Sequence, residues 1–223
     1  MRDPSRRGAL VVIIGPDGSG KSSISKAVVD RLSPSFPKLI YVWCRFESRS
    51  LALLLRANAR IAGFKGDIRE SYEARSENKG RLLTNSPLKW PYLVFVIFSY
   101  MVELHRKVAK PLREGNLVVS DRYVYDTIVD LWADFGRKDE NLSFLTPMMT
   151  NIAPVPKHIF WVDVPEEVSM SRKDDVPNIE YVAVRRKGYE LLSRRISATA
   201  LDGTHSIEAN AERVCDAIKS SQS

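Results

Sequence analysis

Gly15 to Ser23 reads GPDGSGKSS and sits directly behind an unbroken apolar run, ALVVII from Ala9 to Ile14. Residues 15–22 satisfy G-x-x-x-x-G-K-[ST], and that pattern leaves a chain little choice of fold. A buried parallel strand must end at the first glycine and a helix must begin at the lysine. Between them, successive backbone N–H groups turn inward onto a chain of phosphates. The following SSISKAVVDRL supplies the helix. Gly15, Gly18 and Gly20 give the backbone its freedom, and Asp17, Ser19 and Ser23 complete the cradle. Lys21 is placed to reach the β/γ-phosphates, and Ser22 offers a hydroxyl able to ligate Mg2+. The stretch therefore predicts a nucleoside triphosphate site, with ATP and Mg2+ as the expected cofactors.

Strands and helices alternate along the rest of the 223 residues. Strands are predicted at Leu10–Ile14, Leu39–Phe46, Leu117–Ser120, His158–Val164 and the short ATALDG, residues 198–203. Helices are predicted at Lys21–Leu32, over Leu51 to Gly63, from about Trp90 to Ala109, from Tyr125 to Phe135, after Pro165, over residues 178–196 and over SIEANAERVCDAI. The last carries Ile207, Ala211, Val214 and Ile218 on one face. Residues 65–87 read as a polar loop, and the stretch from 136 to Pro156 as irregular. Such alternation predicts an α/β chain in the three-layer P-loop NTPase fold, a five-stranded parallel sheet with helices on both faces.

Two further clusters carry chemistry. LVVSDRY ends an apolar strand in Asp121, where a carboxylate can organise Mg2+, and follows it with Arg122 rather than the water-activating glutamate of many hydrolytic P-loop enzymes. Late in the chain come Arg172, Lys173, Arg185, Arg186 and Lys187. A helical lid bearing arginines there would close over phosphates and exclude water. No N-K-x-D and no L-S-G-G-Q occur, and His105, His158 and His205 are scattered without metal-ligand spacing. The pattern that is left is that of a small-molecule kinase: a flexible tail over residues 1–8, then one kinase domain over 9–223 with a lid at about 170–187.

The chain is 44% hydrophobic and 27% charged, with formal net charge +7 and pI about 9.4. Anionic ligands account for part of that charge, and no basic stripe interleaved with aromatics predicts a nucleic-acid partner. The longest apolar stretch, Trp90 to Leu104, falls short of a transmembrane span. MRDPSRRG leads into a strand rather than a secretory signal. Cys44 and Cys215 lie far apart and read as reduced thiols, so the expected location is the cytoplasm.

Taken in order, GPDGSGKSS, GNLVVSDRY, IFWVDVPEEVSMSR, RRKGYELL and ALDGTHSIEANAERV resemble the thymidylate kinase family of nucleoside monophosphate kinases. The resemblance covers roughly residues 9–46 and 92–218. It implies ATP-dependent phosphorylation of a nucleoside monophosphate, with dTMP the default acceptor. It implies that Asp17 faces the acceptor sugar, that Arg45 meets the acceptor phosphate, and that Arg122 binds phosphates beside Asp121. Arg172 and one of Arg185 and Arg186 would come from the lid, since Gly18 stands where some members carry an arginine in the loop. Family members are often dimers, which makes a homodimer the expected assembly. The acceptor end departs from the family. D-R-x-x-H before the third strand is replaced within SYMVELHRK, with Met101 in the arginine's place, Leu104 in the histidine's, and His105 and Arg106 one to two turns on. DRYVYDTIVD lacks the S-x-A-Y-Q continuation, and residues 47–90 carry no match. Two other readings stay open. One is a nucleoside or sugar hydroxyl kinase with Glu47 or Asp17 as base. The other is a nucleotide-binding regulator with little turnover, using the Leu51–Phe64 helix toward a partner or membrane surface.

Overall fold

Residues 8–44, 94, 98, 100–134, 137–172 and 178–221 are described by the structure, a computed structural model. Its sheet has five strands: β1 (Leu10–Ile14), β2 (Leu39–Trp43), β3 (Leu117–Asp121), β4 (His158–Asp163) and β5 (Thr199–Asp202). They run in the order β2-β3-β1-β4-β5, and every neighbouring pair is parallel. β1 lies at the centre because LVVII is buried at all five positions, as a strand covered on both faces demands.

Side-chain alternation divides the core in two. Leu10, Val12 and Ile14 face one cluster, with Val118, Trp161 and residues of α3 (Val124–Asp134), α4 (Asp139–Thr150) and α6 (Ile179–Arg195). Val11 and Ile13 face the other, with α1 (Lys21–Leu32) and α7 (Ile207–Ser220). Each fully buried aliphatic side chain in these layers contributes about 1.5–3 kcal/mol. Helical residues 100–104 lead through a π-helical turn, His105–Ala109, into α2 (Lys110–Arg113). α5 (Glu166–Ser171) is short and begins directly after Pro165.

Several boundaries differ from the sequence expectation. β2 ends at Trp43, β3 extends through Asp121, and β4 stops at Asp163. The stretch expected to be irregular contains α4, whose Leu142, Leu145 and Met149 are buried although Pro147 lies inside the helix. Ile207, expected on the buried face of α7, is 38% exposed, whereas Cys215 joins Ala211, Val214 and Ile218 inside. Gly8 is anchored, its amide donating to the Leu112 carbonyl at 3.0 Å. The rest of the expected tail, the Leu51–Phe64 helix and the 65–87 loop lie outside the described residues, as do residues 173–177 of the expected lid.

The chain moves from β1 to β2 on one side of the sheet and from β3 to β4 on the other. The crevice where the order reverses opens at the carboxyl ends of β1 and β3, where open α/β sheets place their ligands.

Candidate active site

The loop from β1 to α1 lines this crevice. Gly18 and Gly20 have φ of 80° and 87°, in the left-handed region that favours glycine. A side chain at Gly18 would run into the Ser169 carbonyl and come within 2.8 Å of its Oγ. Ser169 Oγ in turn donates to the Asp17 carbonyl, so α5 pins the loop from outside. At Gly20 the situation is reversed: among the described residues a Cβ would meet only Arg172 Nη1, at 4.0 Å. Gly20 also stands at the N-cap of α1, and no side chain caps the helix. Among the described residues, then, no side chain caps the first N–H groups of α1, the arrangement that a phosphate chain requires.

Lys21 opens α1 and is only 4% exposed, with Nζ donating to the Pro16 carbonyl at 2.8 Å. Burial, then the nearby Arg122, lowers its ammonium to about 8, and Asp17 opposes the shift. Ser22 and Ser23 are exposed on the same turn, and Ser19 Oγ is buried without a hydrogen-bond partner among the described residues.

Across the crevice, Asp121 pairs in register with Ile13 and is fully buried. Its Oδ2 accepts from the Tyr41 hydroxyl at 2.9 Å, while Oδ1 has no partner among the described residues. An orphaned buried carboxylate oxygen beside the helix that carries the Ser22 hydroxyl is an oxygen donor set that fits Mg2+. Burial and then the Asp121 carboxylate push the Tyr41 hydroxyl well above its usual range, which keeps it a donor.

Arg122 turns the corner from β3 to α3 with φ 71°, and its amide donates to the Ile13 carbonyl at 3.0 Å. The residue is 6% exposed, and its guanidinium forms ion pairs with Asp17 of the loop and, at 3.3 Å, with Asp126 of α3. Arg172, at the end of α5, donates from Nη1 to the Gly203 carbonyl at 2.9 Å. The structure thus gathers Gly15, Asp17, Gly18, Ser19, Gly20, Lys21, Asp121, Arg122 and Arg172 around one crevice.

Other expected residues go elsewhere. Arg185 is buried on the α3 side of α6, with Nε donating to Asp130 Oδ1 at 3.0 Å and its guanidinium 3.5 Å above the Tyr181 ring. Arg186 binds Asp163 through Nε and Nη2, at 2.7 and 3.1 Å, and Glu166 at 2.9 Å. His105 faces Arg113 and Met101 is 44% exposed. Arg45, Glu47 and Lys173 lie outside the described residues.

Sequence reasoning missed Tyr41, Asp126, Ser169 and Tyr189. Only Asp126 left a local signal, lying four residues after Arg122 in the first turn of α3. The other three reach the site from other elements.

No family model matches the chain. A protein described as "Probable thymidylate kinase" from Metallosphaera sedula is 24% identical over 206 residues, covering 89% of this chain and 86% of that protein. Among solved structures, thymidylate kinase from Ehrlichia chaffeensis aligns with a TM-score of 0.56 at 19% identity, covering 95% of this chain and 99% of that one. The five parallel strands with helices around them match the fold of that thymidylate kinase, and in sequence the chain is similar to the Metallosphaera sedula protein over most of its length.

Proposed function

We propose that the chain is an ATP-dependent nucleotide kinase that transfers the γ-phosphoryl group to a nucleoside monophosphate, with dTMP the first acceptor to test. The observation that carries this reading is the crevice itself: a helix start without a side-chain cap and a buried lysine face a buried aspartate, one of whose oxygens has no hydrogen-bond partner among the described residues. In the proposed reaction an acceptor phosphate oxygen forms a bond to the γ-phosphorus as the bond to the β–γ bridging oxygen breaks, and ADP leaves. A monophosphate is largely dianionic at neutral pH, with a second pKa near 6, so no strong base is needed. Catalysis is then alignment and charge neutralisation. Lys21 and the α1 amides hold the β/γ-phosphates. Ser22 and Asp121 would hold Mg2+, which would supply neutralisation of phosphate charge. Arg122 orients the acceptor phosphate against the loop, and Arg172 closes the triphosphate side. Asp17 faces the acceptor sugar and Arg45 the acceptor phosphate, as the resemblance implies. Because Arg185 is held by Asp130, this reading gives it a structural place rather than a phosphate contact.

The same reading treats residues 9–223 as one kinase unit, working as a homodimer. It also places the enzyme in the cytoplasm, a location supported by two cysteines that are both free and buried. Lys21→Ala tests it: ADP release from Mg-ATP in the presence of dTMP should disappear while circular dichroism shows a folded protein. Normal turnover by a folded Lys21→Ala enzyme would refute the assignment of the loop.

A further inference from the structure

Asp126 is a carboxylate for which the phosphate loop gives no account. It lies in the first turn of α3 and is 2% exposed. A carboxylate in such a place is costly unless donors surround it. Three do: the Tyr189 hydroxyl from α6 donates to Oδ1 at 2.7 Å, Arg122 Nη1 to the same oxygen at 3.3 Å, and the Tyr123 amide to Oδ2 at 2.8 Å. Arg122, the third party, occupies a left-handed conformation that costs a non-glycine residue about 1–2 kcal/mol. Its carbonyl accepts from Ser120 Oγ at 2.6 Å, and the far side of its guanidinium pairs with Asp17. A continuous chain therefore runs Tyr189–Asp126–Arg122–Asp17, from α6 to the phosphate loop.

Close packing makes the chain possible. Gly188 precedes Tyr189, and a Cβ there would lie 2.9 Å from both Trp132 Cε3 and Val129 Cγ1 of α3. One turn further, Asp130 pairs with Arg185, so two charged rungs four residues apart on both helices lock α3 to α6.

We propose that Asp126, anchored by Tyr189, is a positioning residue that holds the Arg122 guanidinium against Asp17, so that the acceptor phosphate meets a preformed cation. This rests on the kinase reading above. Preorganised charge is worth more than charge that must be gathered on binding.

The competing account is that Asp126 and Tyr189 only hold two helices together. Asp126→Asn keeps shape and removes charge. It should raise KM for dTMP about tenfold or more, the scale of a hydrogen bond to a charged group, with KM for ATP within about twofold. In an Arg122→Lys background the same substitution should add less than about twofold, because residues acting through one another are not additive. Equal changes in both KM values, or an undiminished effect in the Arg122→Lys background, would overturn the proposal. Tyr189→Phe, which keeps the packed ring, gives the same pattern at about threefold if Asp126→Asn does not fold. A second readout needs no turnover: in nitrogen-15 spectra the Arg122 guanidinium, still paired with Asp17, should rotate measurably faster in Asp126→Asn than in wild type. An unchanged rotation rate in that variant would overturn the positioning role. Absence of monophosphate turnover in wild type, with this spectral change present, would instead overturn the kinase reading alone.

Discussion

Replacing Lys21 with methionine is expected to stabilise the ligand-free protein while abolishing its response to ATP. Lys21 is 4% exposed, and burial, then Arg122, lowers its ammonium from the ordinary 10.5 to about 8. At about 1.4 kcal/mol per pH unit, keeping that charge inside costs roughly 3 kcal/mol at pH 7. Methionine fills similar space without charge but loses the hydrogen bond to Pro16, about 1 kcal/mol. The net gain is roughly 2 kcal/mol, which for a domain of this size raises Tm by about 4–8 °C. The pH dependence identifies the cause. Below pH 8 the folded and unfolded states both carry the proton, and the cost is full. Between about 8 and 10.5 the folded protein has released it while the unfolded chain still holds it, so wild-type stability rises with pH. The advantage of methionine should therefore be greatest at pH 7, fall by about 2 kcal/mol to near zero at pH 9.5, and reverse to a deficit of about 1 kcal/mol above 10.5, where only the lost hydrogen bond remains. Differential scanning calorimetry of both ligand-free proteins at pH 7 and pH 9.5 measures this. A variant no more stable at pH 7, or a gap that does not narrow at pH 9.5, would refute the reasoning.

The two loop glycines should behave differently on replacement by alanine. Gly20→Ala meets no described residue closer than Arg172 Nη1 at 4.0 Å and should bear chiefly backbone strain, about 1–2 kcal/mol, whereas Gly18→Ala also drives a Cβ into the Ser169 carbonyl and should cost more and abolish the thermal shift on ATP addition; thermal melts with and without Mg-ATP compare them. Arg172→Ala should leave Tm within about 2 °C, since the residue is exposed, and lower kcat/KM for ATP at least about tenfold; steady-state kinetics at saturating acceptor decide it.

The phosphate loop was legible because glycine spacing dictates backbone geometry and an apolar β-branched run dictates a buried strand. The boundaries of α1 were legible for the same reason: Gly20 begins the helix from outside and Leu32 ends its apolar face. α4 was not, because Pro147 reads as a break, although a proline near the end of a helix removes only one amide donor while Leu142, Leu145 and Met149 keep the stripe buried. The π-helical turn at His105–Ala109 has no signature in residue type. The adjacent Arg185 and Arg186 look equivalent in sequence. About 100° of helical rotation sends one to Asp130 and the other to Asp163 and Glu166, a choice set by what packs around α6. Asp126 and Tyr189 are 63 positions apart, and only the close approach permitted at Gly188 brings them together.

Phosphoryl transfer to a nucleotide is decided by ADP release from Mg-ATP across a panel of acceptors: every nucleoside monophosphate, the matching nucleosides and a set of sugars, with phosphorylated products identified by mass spectrometry. Turnover is expected with a monophosphate, dTMP first among them, and a nucleoside diphosphate as product. Turnover confined to nucleosides or sugars, or ATP binding with no phosphorylated product from any acceptor, would contradict that expectation.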